Sequence, residues 1–206
     1  MSFPPIVYYI NLAHRTDRKE LFLQEMKKAN IPDTILYRQE AVWIPYDGAT
    51  GCTLSHLFAL QTFLKSPHQV ALICEDDFTW LEEPEIIQSF FTKLEGISFN
   101  IVLLAGNVRM EEPSQFPFLH RVYSASTTSA YLVHRKYAQT LYDNFKEGLQ
   151  VRLTNYKDKD MLCSYAIDNH WRQLQMKHEW YIAHPKLGKQ RADYSDIEKK
   201  EVDYNC

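Results

Sequence analysis

The sequence has no closely spaced cysteine pair, no long basic stripe and no long apolar segment, and each absence excludes a class of protein. Its four cysteines are Cys52, Cys74, Cys163 and Cys206, and none forms a C-x-x-C pair, so a zinc site is not expected. The formal net charge is -3, and without a basic stripe the chain is not expected to bind duplex nucleic acid.

The ends of the chain carry no targeting signal that we recognise. The N-terminus has neither a basic region nor a long apolar stretch, and no later segment is long enough to cross a bilayer. We therefore expect a cytoplasmic protein of a reducing compartment without a transmembrane segment. No repeat, low-complexity tract or linker divides the 206 residues, so we expect a single domain of undetermined oligomeric state.

Strand and helix signals alternate along the first half of the chain. Apolar runs and helical spacing predict alternating elements, which are strands at 6–10, 35–37, 70–74 and 101–104 and helices at about 16–29, 53–65 and 84–94. The stretch 43–51, with its proline and glycines, is typical of a loop. The continuous apolar run at 70–74 favours a parallel strand that is covered on both faces.

The second half is less regular. It contains candidate strands near 122–123 and 130–133, and candidate helices over 136–146 and 160–173. The whole pattern predicts an α/β protein with a single mixed, mainly parallel sheet flanked by helices. We expect a nucleotide-sugar-binding half over about 1–106, an acceptor-side half over about 107–197 and a polar tail over 198–206, with ligands at the carboxyl ends of the strands.

An acidic triplet follows the predicted strand at 70–74. Glu75, Asp76 and Asp77 place three carboxylates at the end of a buried strand, which is unfavourable unless something neutralises them. Because side chains alternate along a strand, Glu75 and Asp77 are expected to face one way and Asp76 the other. Two oxygen donors on one side suit Mn²⁺ or Mg²⁺. The same triplet is also compatible with a solvated strand end or an acidic helix start.

Five segments in chain order resemble motifs of glycosyltransferase family 25, which includes lipooligosaccharide and collagen-modifying galactosyltransferases. Together they cover most of the chain. They are YINLAHRTDR at 9–18 (the family's I-N-L-x-x-R-x-x-R), GCTLSH at 51–56 (G-C-x-x-S-H), LICEDD at 72–77 (E-D-D), TSAYLV at 128–133 (a small-Ala-Tyr strand), and Pro185 to Gln190 followed by Ser195-Asp196-Ile197 (P…Q…S-x-I).

The resemblance implies a GT-A-like nucleotide-diphospho-sugar transferase fold and a metal-dependent, inverting hexosyltransferase. The donor would be UDP-galactose or UDP-glucose, and the acceptor a hydroxyl of a glycan or a protein. Glu75 and Asp77 would hold Mn²⁺ or Mg²⁺ against the donor diphosphate, with His184 as a third ligand. Asp76 would lie near the ribose or sugar hydroxyls, or assist the metal.

The remaining roles that the resemblance implies concern the donor and the acceptor hydroxyl. Donor-binding residues would be Asn11, Arg15, Arg18, His56, Lys189 and Gln190. Arg18 falls in the first turn of a helix, and a helix N-terminus with an arginine suits a phosphate. Asp168 would be the base that takes the proton of the acceptor hydroxyl. For His56 a role in ordering the loop is an equal alternative, and for Asp168 a position on a helix surface.

Three aromatic residues, Trp43, Tyr46 and Trp80, flank the loops near this predicted site. They could stack on uracil or a sugar, or simply pack. Two other kinds of function are compatible with parts of the pattern. One is a non-catalytic module that binds nucleotide sugars or glycans. The other is a metal-dependent phosphoesterase, which would need a second cluster of His and Asp ligands that the sequence does not contain.

Overall fold

The computed structural model describes residues 5–195 and 200–202, and within them most of the predicted elements recur with similar bounds. The strands are β1 (Ile6–Asn11), β2 (Leu36–Glu40), β3 (Val70–Glu75), β4 (Phe78–Trp80), β5 (Ile101–Leu103), β6 (Asn107–Pro113), β7 (Leu119–Ser126), β8 (Ala130–His134), β9 (Trp180–Ala183), β10 (Gly188–Gln190), β11 (Asp193–Ser195) and β12 (Lys200–Val202). The helices are α1 (Thr16–Lys28), α2 (Gly48–Lys65), α3 (Pro84–Leu94), α4 (Arg135–Thr154), α5 (Lys159–Ser164), α6 (Ile167–His170) and α7 (Arg172–Gln175), with a 3₁₀ turn at Asp33–Ile35.

The main sheet of the described residues has eight strands in the order β2-β1-β3-β8-β5-β9-β7-β6. The pairs β1–β2, β1–β3 and β5–β9 are parallel, and the other neighbours are antiparallel. This confirms the α/β class and the mixed sheet. Because β1, β3, β5 and β9 run in the same direction, their carboxyl ends lie at one edge, where ligands of such sheets bind.

Both faces of the sheet are buried under helices, as the apolar runs predicted. Along β1, Val7 and Tyr9 pack on one side with Phe22 of α1 and Phe91 of α3. The alternate residues Ile6, Tyr8 and Ile10 pack on the other side, where α2 and α4 contribute Leu60, Phe63, Leu141 and Phe145. Alternation along a strand buried on both faces thus builds two apolar layers that hold the sheet edge in place.

Two elements differ from the sequence-based prediction for local reasons. Helix α2 begins at Gly48, inside the predicted loop, because the Asp47 side chain caps it by accepting a hydrogen bond from the Thr50 N–H (3.1 Å). Helix α4 continues to Thr154 through Gly148, where a Cβ would meet the ring of His170. Gly148 is therefore a point of close helix packing and not a helix end.

The predicted helix over 160–173 is divided into α5, α6 and α7. The strands β4 and β10, which pair with each other in antiparallel fashion, were not predicted because three-residue strands carry too little periodicity. Among the residues that the structure describes, no helix combines the length and apolar character needed to cross a membrane. Asp196, Ile197 and Cys206 lie outside the described residues.

Candidate functional site

The three acidic residues line one cleft at the carboxyl end of β3. The strand ends at Glu75 and the chain turns into β4 at Phe78, so Asp76 and Asp77 lie in the turn and strand alternation does not extend to them. The other polar residues of this cleft, about 120 Å³ in volume, are Arg18, Ser55, His56, Gln190 and Arg191. The structure therefore brings Glu75 and Asp77 to the same cleft, together with Asp76.

Glu75 is held by a histidine of α2 and a threonine that precedes β8. Its Oε1 accepts a hydrogen bond from the Thr128 hydroxyl (2.6 Å) and lies 3.3 Å from Nε2 of His56. The fully buried His56 ring contacts the Tyr131 hydroxyl through Nδ1 (3.0 Å). Burial alone would raise the pKa of Glu75, but the hydrogen bond and charge of His56 hold it below its usual value. Glu75 is thus an ionised carboxylate.

Arg18 is the internal counter-ion of the other two carboxylates. Its Nη1 donates to Asp76 Oδ1 (3.0 Å) and to Asp77 Oδ2 (3.3 Å), and its Nε donates to Asp193 (3.1 Å). Asn11 Nδ2 donates to the second oxygen of Asp76 (2.7 Å). Burial raises the pKa of Asp76, and Arg18 opposes this rise. Asn11 therefore positions a carboxylate from beneath the cleft and is not among the residues that line it.

Asp77 is the least satisfied member of the cluster. Its Oδ2 accepts from Arg18 and from Gln190 Nε2 (3.0 Å), but its buried Oδ1 has no hydrogen-bond partner among the described residues. Burial, and after it the charge of Glu75, raises the pKa of Asp77 to about 7. The Arg18 guanidinium thus contacts three carboxylates, those of Asp76, Asp77 and Asp193, and Asp193 also lies 3.6 Å from Arg15 and 3.8 Å from Arg191. Carboxylate oxygens such as these are the ligands that hard divalent cations prefer.

The segment after β10 closes the cleft beside Asp77. The Arg191 N–H donates to the Asp77 carbonyl (2.7 Å), and Arg191 and Gln190 both line the cleft. Arg191 Nη2 is buried, has no hydrogen-bond acceptor among the described residues and lies 3.8 Å from Asp193 Oδ2. Lys189 is exposed and does not line the cleft. Arg191 was not predicted, because it lies beyond the end of β10 and only the pairing with β4 turns it inward.

Two further predicted site residues do not line the cleft. The His184 ring stacks on His120 with centroids 3.7 Å apart, and β9, which it follows, is separated from β3 by β8 and β5. His184 also does not line the second, adjoining cleft. Arg15 pairs with Asp17 (2.8 Å) and lies 3.6 Å from Asp193, next to Arg18. The structure therefore does not bring His184 to the predicted metal position.

A second cleft of about 420 Å³ adjoins the first and shares Cys52, Glu75 and Gln190 with it. Asp168, on α6, lines this cleft, and its Oδ2 accepts a hydrogen bond from the Thr127 N–H (3.1 Å). Burial raises the pKa of Asp168, and the nearby charge of Glu75 adds to the rise. A carboxylate with raised proton affinity thus lies in the cleft next to the acidic cluster.

The three predicted aromatic residues have different surroundings. Trp43 lines the first cleft with 46% of its surface exposed, and its ring contacts His14 edge-on (5.3 Å between centroids). Tyr46 is exposed outside the cleft. Trp80 is buried against Phe78 and Phe91. Of the three, Trp43 is the partly exposed aromatic ring that lines the cleft, where a flat ligand could stack on it.

The fold is shared with a known glycosyltransferase. The crystal structure of a glycosyltransferase involved in the glycosylation of the major capsid of PBCV-1 superposes with a TM-score of 0.53 and 11% identity, over 94% of this chain and 95% of that one. This likeness defines a GT-A-like fold. No protein-family model matches the chain, and no curated protein matches it.

Two more distant structures also superpose. They are A197 from STIV (TM-score 0.45, 12% identity, 92% of this chain and 95% of that one) and mannose-1-phosphate geranyltransferase from Thermus thermophilus (TM-score 0.44, 10% identity, 93% and 75%). At TM-scores below 0.5, these two likenesses add nothing to the assignment of the fold.

Proposed function

We propose that this protein is a metal-dependent, inverting glycosyltransferase that moves galactose or glucose from a UDP-sugar to a hydroxyl of a glycan or protein. The observation that carries the proposal is the carboxylate cluster at the end of β3, with the unpartnered Oδ1 of Asp77, placed where two clefts meet. The GT-A-like fold and the resemblance of five sequence segments to glycosyltransferase family 25 support the same assignment.

The first cleft is the proposed donor site. Trp43 offers an aromatic face for uracil, and the Arg191 guanidinium, with a buried unpartnered nitrogen, suits a diphosphate oxygen. Glu75 and Asp77 would hold Mn²⁺ or Mg²⁺, which when bound neutralises negative charge on the leaving diphosphate. Arg18 stays with Asp76 and keeps that carboxylate in place. His184 is left out of this ligand set because it stacks on His120.

The second cleft is the proposed acceptor site, with Asp168 as the base. Its burial and the charge of Glu75 raise its affinity for a proton, which suits a group that removes the proton of a hydroxyl near neutral pH. The Thr127 N–H holds one oxygen of Asp168 and leaves the other for the acceptor. Attack of the activated hydroxyl on the anomeric carbon, from the side opposite the leaving UDP, inverts the configuration there.

The test is UDP release from a panel of UDP-sugars, with and without Mn²⁺ and with glycan and peptide acceptors. We expect turnover with at least one donor, only with the metal. Asp168→Asn should lower acceptor-dependent turnover by about 10² to 10⁴, without changing donor affinity. Asp143→Asn, an exposed aspartate on α4, is the matched control and should keep full activity.

The outcomes separate the alternatives. Full turnover in the Asp168→Asn variant would assign the base to another residue, and metal-independent turnover would refute the proposed role of Glu75 and Asp77. Binding of a UDP-sugar without turnover on any acceptor would favour a non-catalytic nucleotide-sugar or glycan-binding module.

A further inference from the structure

A cysteine, a histidine and a carboxylate meet at the junction of the two clefts. The side-chain ligand atoms of Cys52, His56 and Glu75 all lie within 4.8 Å of one another. Cys52 and His56 are four residues apart on α2, so they project from one face of that helix, toward the end of β3. Cys52 and Glu75 line both clefts, which leaves the cluster accessible from either side.

The neighbours of this cluster orient its ligand atoms. The Tyr131 hydroxyl holds Nδ1 of His56 (3.0 Å), so Nε2 is directed at Glu75 (3.3 Å). The Thr128 hydroxyl donates to Glu75 (2.6 Å), which fixes the position of that carboxylate. A ligating imidazole whose other nitrogen is held by a hydrogen bond, beside a hydrogen-bonded carboxylate, is the usual arrangement around protein-bound metal ions.

The chemistry of the three groups selects a different cation from the one proposed for the donor site. Sulfur, imidazole and carboxylate together suit a borderline-soft ion such as Zn²⁺, whereas Mn²⁺ and Mg²⁺ prefer oxygen ligands alone. Three protein ligands leave one position of a tetrahedral ion open. Bond lengths of about 2.0 to 2.3 Å place ligand atoms about 3.5 Å apart, which rotations of the Cys52 and Glu75 side chains can reach from the present spacing.

We propose that Cys52, His56 and Glu75 form a binding site for a zinc-like divalent cation. Glu75 is also one of the two proposed Mn²⁺ ligands, together with Asp77. A cation bound by Cys52, His56 and Glu75 therefore competes with Mn²⁺ bound by Glu75 and Asp77. The binding needs no transferase activity, and only the competition rests on the proposed function. A search for C-x-x-C pairs does not find this site, because only one of its ligands is a cysteine. Cys52 and His56 lie on one turn of α2, and Glu75 follows His56 by 19 residues, at the end of β3.

The binding test uses Co²⁺ as the probe, in metal-free protein kept reduced without a thiol reagent. We expect one equivalent to bind with a sulfur-to-cobalt charge-transfer band. Cys52→Ser should lose that band. Cys163→Ser, which alters an exposed cysteine, should keep it, and so should Asp77→Asn, which leaves the three ligands intact. Circular dichroism and thermal unfolding of each variant verify that it is folded. No band in the wild-type protein, or a band that survives in Cys52→Ser, overturns the proposal.

The competition test follows bound Mn²⁺ by electron paramagnetic resonance while Zn²⁺ is added. We expect stoichiometric Zn²⁺ to displace Mn²⁺ from the wild-type protein, and Cys52→Ser to need at least tenfold more. Equal displacement in the two proteins refutes the shared ligand. If no sugar transfer is found but the cobalt band depends on Cys52, the proposed function fails and the new site stands.

Discussion

Removing the charge of Asp77 should make the metal-free protein more stable, although Asp77 lies at the centre of the proposed site. We consider Asp77→Asn, which keeps the size of the side chain and can still accept from Arg18 and Gln190. In the folded protein the pKa of Asp77 rises from 3.8 to about 7, first because of burial and then because of Glu75. The ionised Asp77 side chain therefore destabilises the folded protein, and the variant lacks this buried charge.

The magnitude follows from the pKa difference between the folded and unfolded states. The rise from 3.8 to about 7 corresponds to about 4 kcal/mol by which ionised Asp77 destabilises the fold. The weaker hydrogen bond that a neutral amide makes to Arg18 offsets about 1.5 to 3 kcal/mol of this. We therefore expect the variant to be more stable than the wild type by about 1 to 2.5 kcal/mol at pH 8.

The sign of the pH dependence is fixed by the direction of the shift. Because the pKa is raised in the folded state, the stability linked to Asp77 is fully present below pH 3.8 and is lost as the pH rises through about 7. The free energy of unfolding of the variant minus that of the wild type should therefore grow between pH 5 and pH 8, by up to about 3 kcal/mol. Urea unfolding with a chelator, at several pH values, measures this difference.

Adding Mn²⁺ provides the second half of the assay. A cation that binds only the folded protein raises its stability by about 2.7 kcal/mol at a hundred times its dissociation constant. We expect this rise in the wild type at pH 8 and little or none in Asp77→Asn, so that the order of stabilities reverses. A variant that is less stable than the wild type in the chelator at pH 8, or a difference that does not change with pH, would refute the reasoning.

Two further predictions concern the frame of the site, and each has a matched control measured by urea unfolding. A Cβ on Gly188 would overlap the Phe78 ring, so Gly188→Ala should lower the free energy of unfolding by about 1 to 3 kcal/mol and weaken donor binding. The control is Gly96→Ala, at a glycine with φ +83° and no atom within 4 Å of the added Cβ. It should lower the free energy of unfolding by about 1 to 2 kcal/mol and leave donor binding unchanged. Gln175 is fully buried and pairs its amide with both the N–H (2.7 Å) and the carbonyl (3.0 Å) of Ala125. Gln175→Leu should therefore cost about 2 to 3 kcal/mol, against less than about 0.5 kcal/mol for Gln173→Leu on the surface. Equal effects on donor binding in the glycine pair, or equal losses of stability in the glutamine pair, would contradict the packing described.

The elements that the sequence predicted well are those whose signal is local. The strand at 70–74 and the helix at 84–94 recur with nearly the same bounds, because a continuous apolar run and helical spacing are each complete within one element. The division of residues 160–173 into three short helices depends on packing against α4 and β7, which no local pattern records. The start of α2 was missed for another reason, since Asp47 at its cap lies among loop-forming residues.

The site residues, too, could be predicted from the residues around them only where their signal was local. Placing Glu75, Asp76 and Asp77 at a strand end required only the apolar run before them. Asp168 reaches the neighbouring cleft through tertiary packing, and the family resemblance, not the residues around it, pointed there. Arg191 could not be found, because its place follows from the pairing of two three-residue strands that are distant in sequence. The assignment of His184 came from the family resemblance, but the strand before it is three places from β3 in the sheet.

Arg18 joins two parts of the molecule that otherwise have separate roles. Its guanidinium holds Asp76 and Asp77 at one end and, at the other, the Asp193 side chain (3.1 Å) and the Tyr194 carbonyl (3.1 Å). Whatever alters the charge of the acidic cluster must therefore alter how firmly the chain after β10 is held. By thermodynamic reciprocity the dependence runs both ways and has one free energy. The acidic cluster and β11 thus form a coupled pair, with the buried Arg18 side chain as one link between them and the hydrogen bonds of Gln190 and Arg191 to Asp77 beside it.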